Sequence, residues 1–239
     1  MKVLTKLLTD RLTDLVDTHI PEEQFGFRQS RSTIQAVECL QNDICEALRH
    51  PGGKLHAVFI DYSKAFDTIN RTILMSELEH LIGKENSIGR LIRNILMNNS
   101  VQIDDAITVS NPIAQTTGVL QGDPLSPLLF NVATYDVVQA IKTEDVRIYI
   151  YADDMTLTST LRDALQTAFD RLVQWAQNND LTLNRDKTVT MTFKRGGRRA
   201  AADIIHLDGQ PLNNVKRFKY CSLKEAAIQL MLRRELRQR

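Results

Sequence analysis

Three aspartates stand where strand-like apolar runs end or turn. Leu55-His56-Ala57-Val58-Phe59-Ile60 finishes on Asp61, and two further runs, 146–151 and 155–160, flank Ala152-Asp153-Asp154. Apolar strands carry the backbone into a core and leave each acid at a rim. If the strand ending in Asp61 pairs beside the hairpin, the three carboxylates converge. Crowding like charges is unfavourable unless cations neutralise them. Oxygen donors without His or Cys select Mg²⁺ or Mn²⁺ over zinc. Two such ions, roughly 4 Å apart, would activate a hydroxyl and stabilise a phosphate leaving group in an in-line displacement. Taken alone, Asp153-Asp154 reads as an ordinary turn, because aspartate is common in turns. The preceding Tyr151-Ala152 and the apolar runs on both sides argue for the site.

The elements that must position these acids follow from periodicity. Apolar residues from Val3 to Ile20 recur at helical spacing, closed by Pro21. A loop over 22–31 holds Phe25-Gly26-Phe27-Arg28. Ser30 or Ser32 then caps a helix with Ile34, Val37, Leu40, Ile44 and Leu48 on one face, ended by His50-Pro51-Gly52-Gly53. Helices are expected over 71–82 and 88–97, and a strand or hairpin over 101–109 around Asp104-Asp105. A turn-rich loop, Gly118-Val119-Leu120-Gln121-Gly122-Asp123-Pro124, leads into a helix to about Ile141, with Pro124 and Pro127 in its first turn. Leu165, Ala168, Phe169, Leu172, Val173 and Ala176 mark another helix, broken by Asn178-Asn179-Asp180. Val189, Met191 and Phe193 alternate with threonines in a last strand. The order strand, helices, hairpin, helix, strand predicts an α+β fold: a small antiparallel sheet with helices on one face.

Composition narrows the classes. The chain has 239 residues and is 43% hydrophobic, enough for a sizeable core. No segment is apolar enough to span a bilayer, and Lys6, Asp10 and Arg11 interrupt any signal-peptide core. Cys39, Cys45 and Cys221 form no CxxC pair, which disfavours a disulfide framework or zinc site and fits a reducing compartment. Cys39 and Cys45 are expected on or beside a helix face. The net charge of +1 does not announce nucleic-acid binding. Basic residues nevertheless gather late in the chain, at Lys194, Arg195, Arg198 and Arg199, at Lys216, Arg217 and Lys219, and from Arg233 to the end. They read equally as phosphate contacts or as a solvated tail.

Five segments, in order, resemble reverse transcriptases. Tyr151-Ala152-Asp153-Asp154 looks like their YADD box. Phe25-Gly26-Phe27-Arg28 through Ser32-Thr33 resembles the fingers segment of non-LTR retrotransposon and group II intron enzymes. Ala57-Val58-Phe59-Ile60-Asp61-Tyr62-Ser63-Lys64-Ala65-Phe66-Asp67 resembles the first catalytic motif. Gly118 through Pro127 resembles the motif facing nucleotide and template, and Leu183-Asn184-Arg185-Asp186-Lys187-Thr188 the motif after the hairpin. The likeness runs from Phe25 to Tyr220 and is nearest to non-LTR, LINE-like enzymes.

The resemblance implies an RNA-directed DNA polymerase that adds dNTPs to a DNA primer on an RNA template, with two Mg²⁺ or Mn²⁺ ions. It implies metal ligation by Asp61, Asp153, Asp154 and the Tyr62 carbonyl. Phe66 matches the steric gate that excludes a ribose 2′-hydroxyl; read by itself it is a core aromatic. Gln121 and Gly122 would meet the incoming nucleotide, with Gly118 also allowing close backbone approach, although the loop by itself is a plain strand-to-helix turn. Lys187 would position or protonate the pyrophosphate, or else is simply solvated. Arg28 would touch template or nucleotide, or else a fingers salt bridge. Asp67 is expected to anchor local backbone.

The lobes implied are fingers over 1–54 and 70–115, palm over 55–69 and 116–222, and a basic tail over 223–239. An N-terminal fingers extension and a thumb are expected to be lacking. Phe218-Lys219-Tyr220 resembles the start of a primer grip but continues Cys221-Ser222. A catalytically silent, truncated fold that binds RNA or protein is the alternative; a two-metal nucleotide cyclase is disfavoured by Tyr151-Ala152 and by Gln121-Gly122-Asp123-Pro124. The implied setting is intracellular, nuclear or cytoplasmic rather than secreted, with no membrane partner and the subunit number left open.

Overall fold

The computed structural model describes residues 2–104, 108–194 and 203–218. Asp105, the basic stretch 195–199, Lys219-Tyr220, Cys221 and the tail 223–239 lie outside them. The chain divides into two compact units: Met1–Pro21 with Ser63–Asp136 and Gln177–Leu181, and Glu22–Tyr62 with Val137–Ala176 and Thr182–Arg239. These bounds fall at other places than the expected lobes.

The first unit is mainly helical. Its helices are α1 (Lys2–Val16), α3 (Ala65–Thr68), α4 (Arg71–Ile82), α5 (Ser87–Met97) and α6 (Ser126–Ala133), and α4 packs on α1, α5 and α6. Asn70 caps α4 by accepting from the Thr72 and Ile73 amides, and Asn86 caps α5 through the Ile88 amide. α1 stops at Val16 rather than running to Pro21; Asp17, Thr18 and His19 are all weak helix formers. The expected hairpin over 101–109 is met by an Asp104–Val109 bridge beyond the short strands β2 (Ser100–Val101) and β3 (Ile113–Ala114).

The second unit holds a five-stranded sheet. Its strands are β1 (Lys54–Ile60), β4 (Arg147–Tyr151), β5 (Asp154–Ser159), β6 (Val189–Lys194) and β9 (Asn213–Asn214), in the order β4-β5-β1-β6-β9. Three pairings are antiparallel, as expected; β6 with β9 is parallel, so the sheet is mixed. β1 is central, which explains its largely apolar run. Ala57 and Phe59 join one buried cluster, and Val58 and Ile60 on the opposite face are equally buried.

Helix α2 (Thr33–Ala47) covers the Phe59 face with Ala36, Val37, Leu40 and Ile44. Ser32 is its cap, in a reciprocal capping box with Gln35. Ile34, expected on the apolar face, stays 58% exposed in the first turn. Cys39 and Cys45 are half-buried on this helix. The helix expected to reach Ile141 is two, because α7 (Val137–Ile141) follows a break at Thr134. The Thr134 hydroxyl donates to the Phe130 carbonyl at 3.0 Å at the end of α6. α8 (Arg162–Asn178) ends where expected, at the asparagine pair. A small hairpin, β7 (His206–Leu207) with β8 (Gln210–Pro211), was not expected from the sequence. No helix among the described residues is long and apolar enough to cross a membrane.

Candidate active site

In the second unit, β1 delivers Asp61 and the β4–β5 hairpin delivers Asp153 and Asp154. Antiparallel register runs to Ile60 opposite Met155, and Tyr151 pairs with Asp154 across the turn. One position beyond the Ile60–Met155 pair stand Asp61 on one strand and Asp154 on the other. The three acids therefore share one end of the sheet.

The segment 183–188 fastens Asp61. The Asn184 amide donates to the Asp61 carbonyl at 2.7 Å, and the Asp61 amide donates to the Thr188 hydroxyl at 3.3 Å. Tyr62 bridges to Leu183. This places the Lys187 Nζ 3.7 Å from Asp61 Oδ2, an oxygen that is buried without a hydrogen-bond partner. The Tyr62 hydroxyl is likewise buried and unpartnered, and burial, then the charge of Asp153, push its pKa up.

Burial is also the first cause raising both hairpin carboxyls. For Asp153 its own backbone hydrogen bond opposes this, Asp61 adds to it and Lys187 opposes it. Asp154 is pushed up to about 6 by burial, then by the charges of Asp153 and Asp61, against Lys187.

As the side chains stand, no three His, Cys, Asp or Glu groups among the described residues close to metal-holding range. The expected convergence is met at the strand ends and not in a closed cage. Like-charged carboxylates with no cation between them gain by standing apart. The donor set nonetheless fits a hard divalent ion: oxygen ligands alone, one buried carboxylate oxygen left orphaned, and two carboxyls whose charge is disfavoured until a cation arrives.

A pH dependence follows. Asp154 holds its proton more tightly folded, at about 6, than at its ordinary 3.8. Its contribution to stability is therefore full below the ordinary value and is lost as pH rises through about 6. Melting curves of the metal-free wild type, compared with Asp154→Asn, are expected to show the wild type losing ground across that window. Saturating Mg²⁺ should abolish the loss. A gap between the two proteins that ignores both pH and Mg²⁺ would contradict the burial argument.

The first unit brings together Phe66, Asp67, Gln121 and Gly118. The Val119 amide donates to the Phe66 carbonyl at 2.8 Å, and the Gly118 amide to the Ile69 carbonyl at 2.9 Å. Gly118 holds φ +72°, and a Cβ there would lie 2.5 Å from the Asp67 carbonyl oxygen, so only glycine fits. Gln121 is exposed, and its Nε2 donates to Asp67 Oδ1 at 3.0 Å. Asp67 thus anchors a side chain where local backbone was expected. Phe66 is half-buried, with its ring stacked on Phe130 at 4.7 Å between centroids. Arg28 is half-buried beside the exposed Phe27, whose ring lies 6.5 Å from that of Tyr151.

Residues 1–224 match the family described as reverse transcriptase (RNA-dependent DNA polymerase). The chain belongs to the reverse transcriptase family. It is 28% identical over 239 residues to the RNA-directed DNA polymerase from mobile element jockey of Drosophila melanogaster, covering 93% of this chain and 25% of that protein. It is 26% identical over 207 residues to the retrovirus-related Pol polyprotein from type-1 retrotransposable element R2 of Nasonia vitripennis, covering 81% of this chain and 19% of that protein. The chain spans about a quarter of the length of the first of these relatives. Among solved structures it resembles a telomerase from Candida tropicalis, in complex with a TWJ fragment of telomeric RNA. That likeness has a TM-score of 0.63 at 16% identity and covers 78% of this chain and 33% of that one, so the two share a fold.

Three residues of this reverse transcriptase chain escaped the sequence reading. Gln24 is buried and bonds both the N–H and the C=O of Ala152. Asp43 is buried on α2 and accepts from Arg147, Tyr149 and Thr158, tying the helix to β4 and β5. An acid at the apolar spacing of α2 was a usable signal for it. Arg71, 2% exposed, donates to the carbonyls of Gly118, Leu96 and Gln115. Its place one residue after a helix cap gave no signal of burial.

Proposed function

We propose that this chain is the polymerising part of a reverse transcriptase, adding dNTPs to a primer 3′-hydroxyl on an RNA template. The observation that carries this is the register that brings Asp61 and the Asp153-Asp154 turn to one sheet end, in a chain of this family. Asp61, Asp153, Asp154 and the Tyr62 carbonyl would hold two ions, Mg²⁺ or Mn²⁺. Those ions, when bound, supply activation of the hydroxyl and neutralisation of the leaving pyrophosphate. Lys187, whose ammonium already faces Asp61, would hold a proton for the departing pyrophosphate. Gln121 and Gly122 would meet the nucleotide, and Arg28 the template or nucleotide. Fingers over 1–54 and 70–115 and palm over 55–69 and 116–222 complete the reading.

Extension of a DNA primer on an RNA template, with dNTPs and Mg²⁺ or Mn²⁺, tests it; no extension with either ion overturns it. Phe66 gives a sharper readout. As a gate, Phe66→Ala should raise ribonucleotide incorporation relative to dNTP by roughly tenfold or more, because the clash that rejects the 2′-hydroxyl is gone. If the stack on Phe130 is its whole role, the variant melts earlier with selectivity unchanged.

A second reading is a silent fold that binds RNA or a partner protein. The modest net charge of +1, low for a chain that must hold a primer–template duplex, favours it. Salt-dependent RNA binding without extension would select it.

A further inference from the structure

We infer that Gln24 is a positioning residue that fixes the Asp153-Asp154 turn for metal binding; the metal part of this rests on the polymerase reading above. The β4–β5 hairpin closes on Tyr151 paired with Asp154, so Ala152 and Asp153 are its two turn residues. Ala152 has φ +59°, and Asp153 is not among the positive-φ residues. A positive φ at the first turn position alone is the pattern that favours glycine there. Alanine carries a Cβ, so this turn is held against a conformational cost.

The fastening comes from far along the chain. Gln24 is 2% exposed. Its Oε1 accepts from the Ala152 amide at 3.0 Å and from the Gly26 amide at 2.8 Å, and its Nε2 donates to the Ala152 carbonyl at 3.3 Å. One amide side chain thus grips both polar groups of the strained residue. Its own position is set by backbone bonds on either side: the Phe25 amide donates to the Ile150 carbonyl at 2.7 Å, and the Ile150 amide to the Glu23 carbonyl at 2.8 Å. Gly26 lets the segment lie this close, since a Cβ there would overlap the Ala152 nitrogen. The two carboxylates follow directly after Ala152, so the orientation of its peptide groups governs where they point. Groups that orient metal ligands without touching the metal commonly alter affinity by about 10–100-fold when removed.

The test uses the full chain with Gln24→Met, which keeps the length and loses all three bonds, and Gln24→Glu, which keeps the Oε1 acceptor. Asp43→Asn is the control, a buried polar change in the same unit away from the turn. Two readouts apply: amide hydrogen exchange at Ala152 without metal, and Mn²⁺ affinity by electron paramagnetic resonance. Gln24→Met is expected to exchange faster at Ala152 and to bind Mn²⁺ about tenfold more weakly. The Mg²⁺ needed for half-maximal extension should rise in step while kcat at saturating Mg²⁺ is retained. Asp43→Asn should melt earlier with both readouts unchanged. If Gln24→Met does not fold, Gln24→Glu is judged on the same two readouts. A folded Gln24 variant with wild-type exchange and wild-type Mn²⁺ affinity overturns the inference, as does equal weakening in Asp43→Asn. A wild type that fails to extend primers defeats the polymerase reading separately, while exchange at Ala152 still judges Gln24.

Discussion

Asp153→Ala is expected to reduce primer extension by roughly 10³-fold or more while leaving the metal-free chain at least as stable as the wild type. Most buried-site substitutions lose both together, so the opposite signs are diagnostic. The Asp153 carboxyl is disfavoured in its charged form by burial first and by the Asp61 charge after that. Alanine removes both penalties and gives up the hydrogen bond from its own backbone and the attraction of Lys187. The wild type should recover the stability it lacks once Mg²⁺ is added, and the variant should not, since only the wild type gains a ligand on folding. Single-turnover extension and melting curves with and without Mg²⁺ check this. Extension undiminished by the substitution would remove the polymerase reading; a metal-free variant that melts far below the wild type would show that Asp153 is structural.

The second large effect is expected in the helical unit. Arg71→Leu should lower stability by about 3 kcal/mol or more, because it strips partners from three carbonyls at once. Arg71 Nε donates to Gly118 O at 2.7 Å, and its other bonds reach the carbonyls of Leu96 and Gln115. Burial lowers the arginine pKa, so this charge is held in place at a desolvation cost, and leucine recovers part of that cost. The unpaired carbonyls outweigh the recovery, since burying a polar group without a partner costs about 1–3 kcal/mol each. The consequence extends beyond stability. Gly118 opens the loop that carries Gln121, so the variant should also show a raised KM for dNTP at temperatures where it remains folded. Chemical denaturation gives the first quantity and steady-state extension the second. A loss under about 1 kcal/mol would mean that water replaces the guanidinium at these carbonyls.

Elements whose signals are local could be read from residues alone. The largely apolar run 55–60 marked a buried strand, and it is the central one. The acidic turn between two apolar runs marked the β4–β5 hairpin. Serine before a helical pattern marked the α2 start as Ser30 or Ser32, and the structure selects Ser32. Each depends on neighbours within a few residues, where side-chain type and backbone preference act together. Family membership was legible for the same reason, through short motifs in a fixed order.

Other features depend on where distant segments meet. The two-residue strands β7, β8 and β9 are too short to carry a period. The break before α7 falls at Thr134, where neither glycine nor proline marks it. Gln24 grips a residue 128 positions away, and Asp43 bonds a tyrosine 106 positions away. Nothing in a glutamine or an arginine beside a loop says which backbone groups it will find. The sequence alone determined which strands would carry the three acids to one sheet end. Tertiary structure decided how those acids are held, because a buried amide or guanidinium takes its partners from whichever orphaned polar groups the packed chain presents.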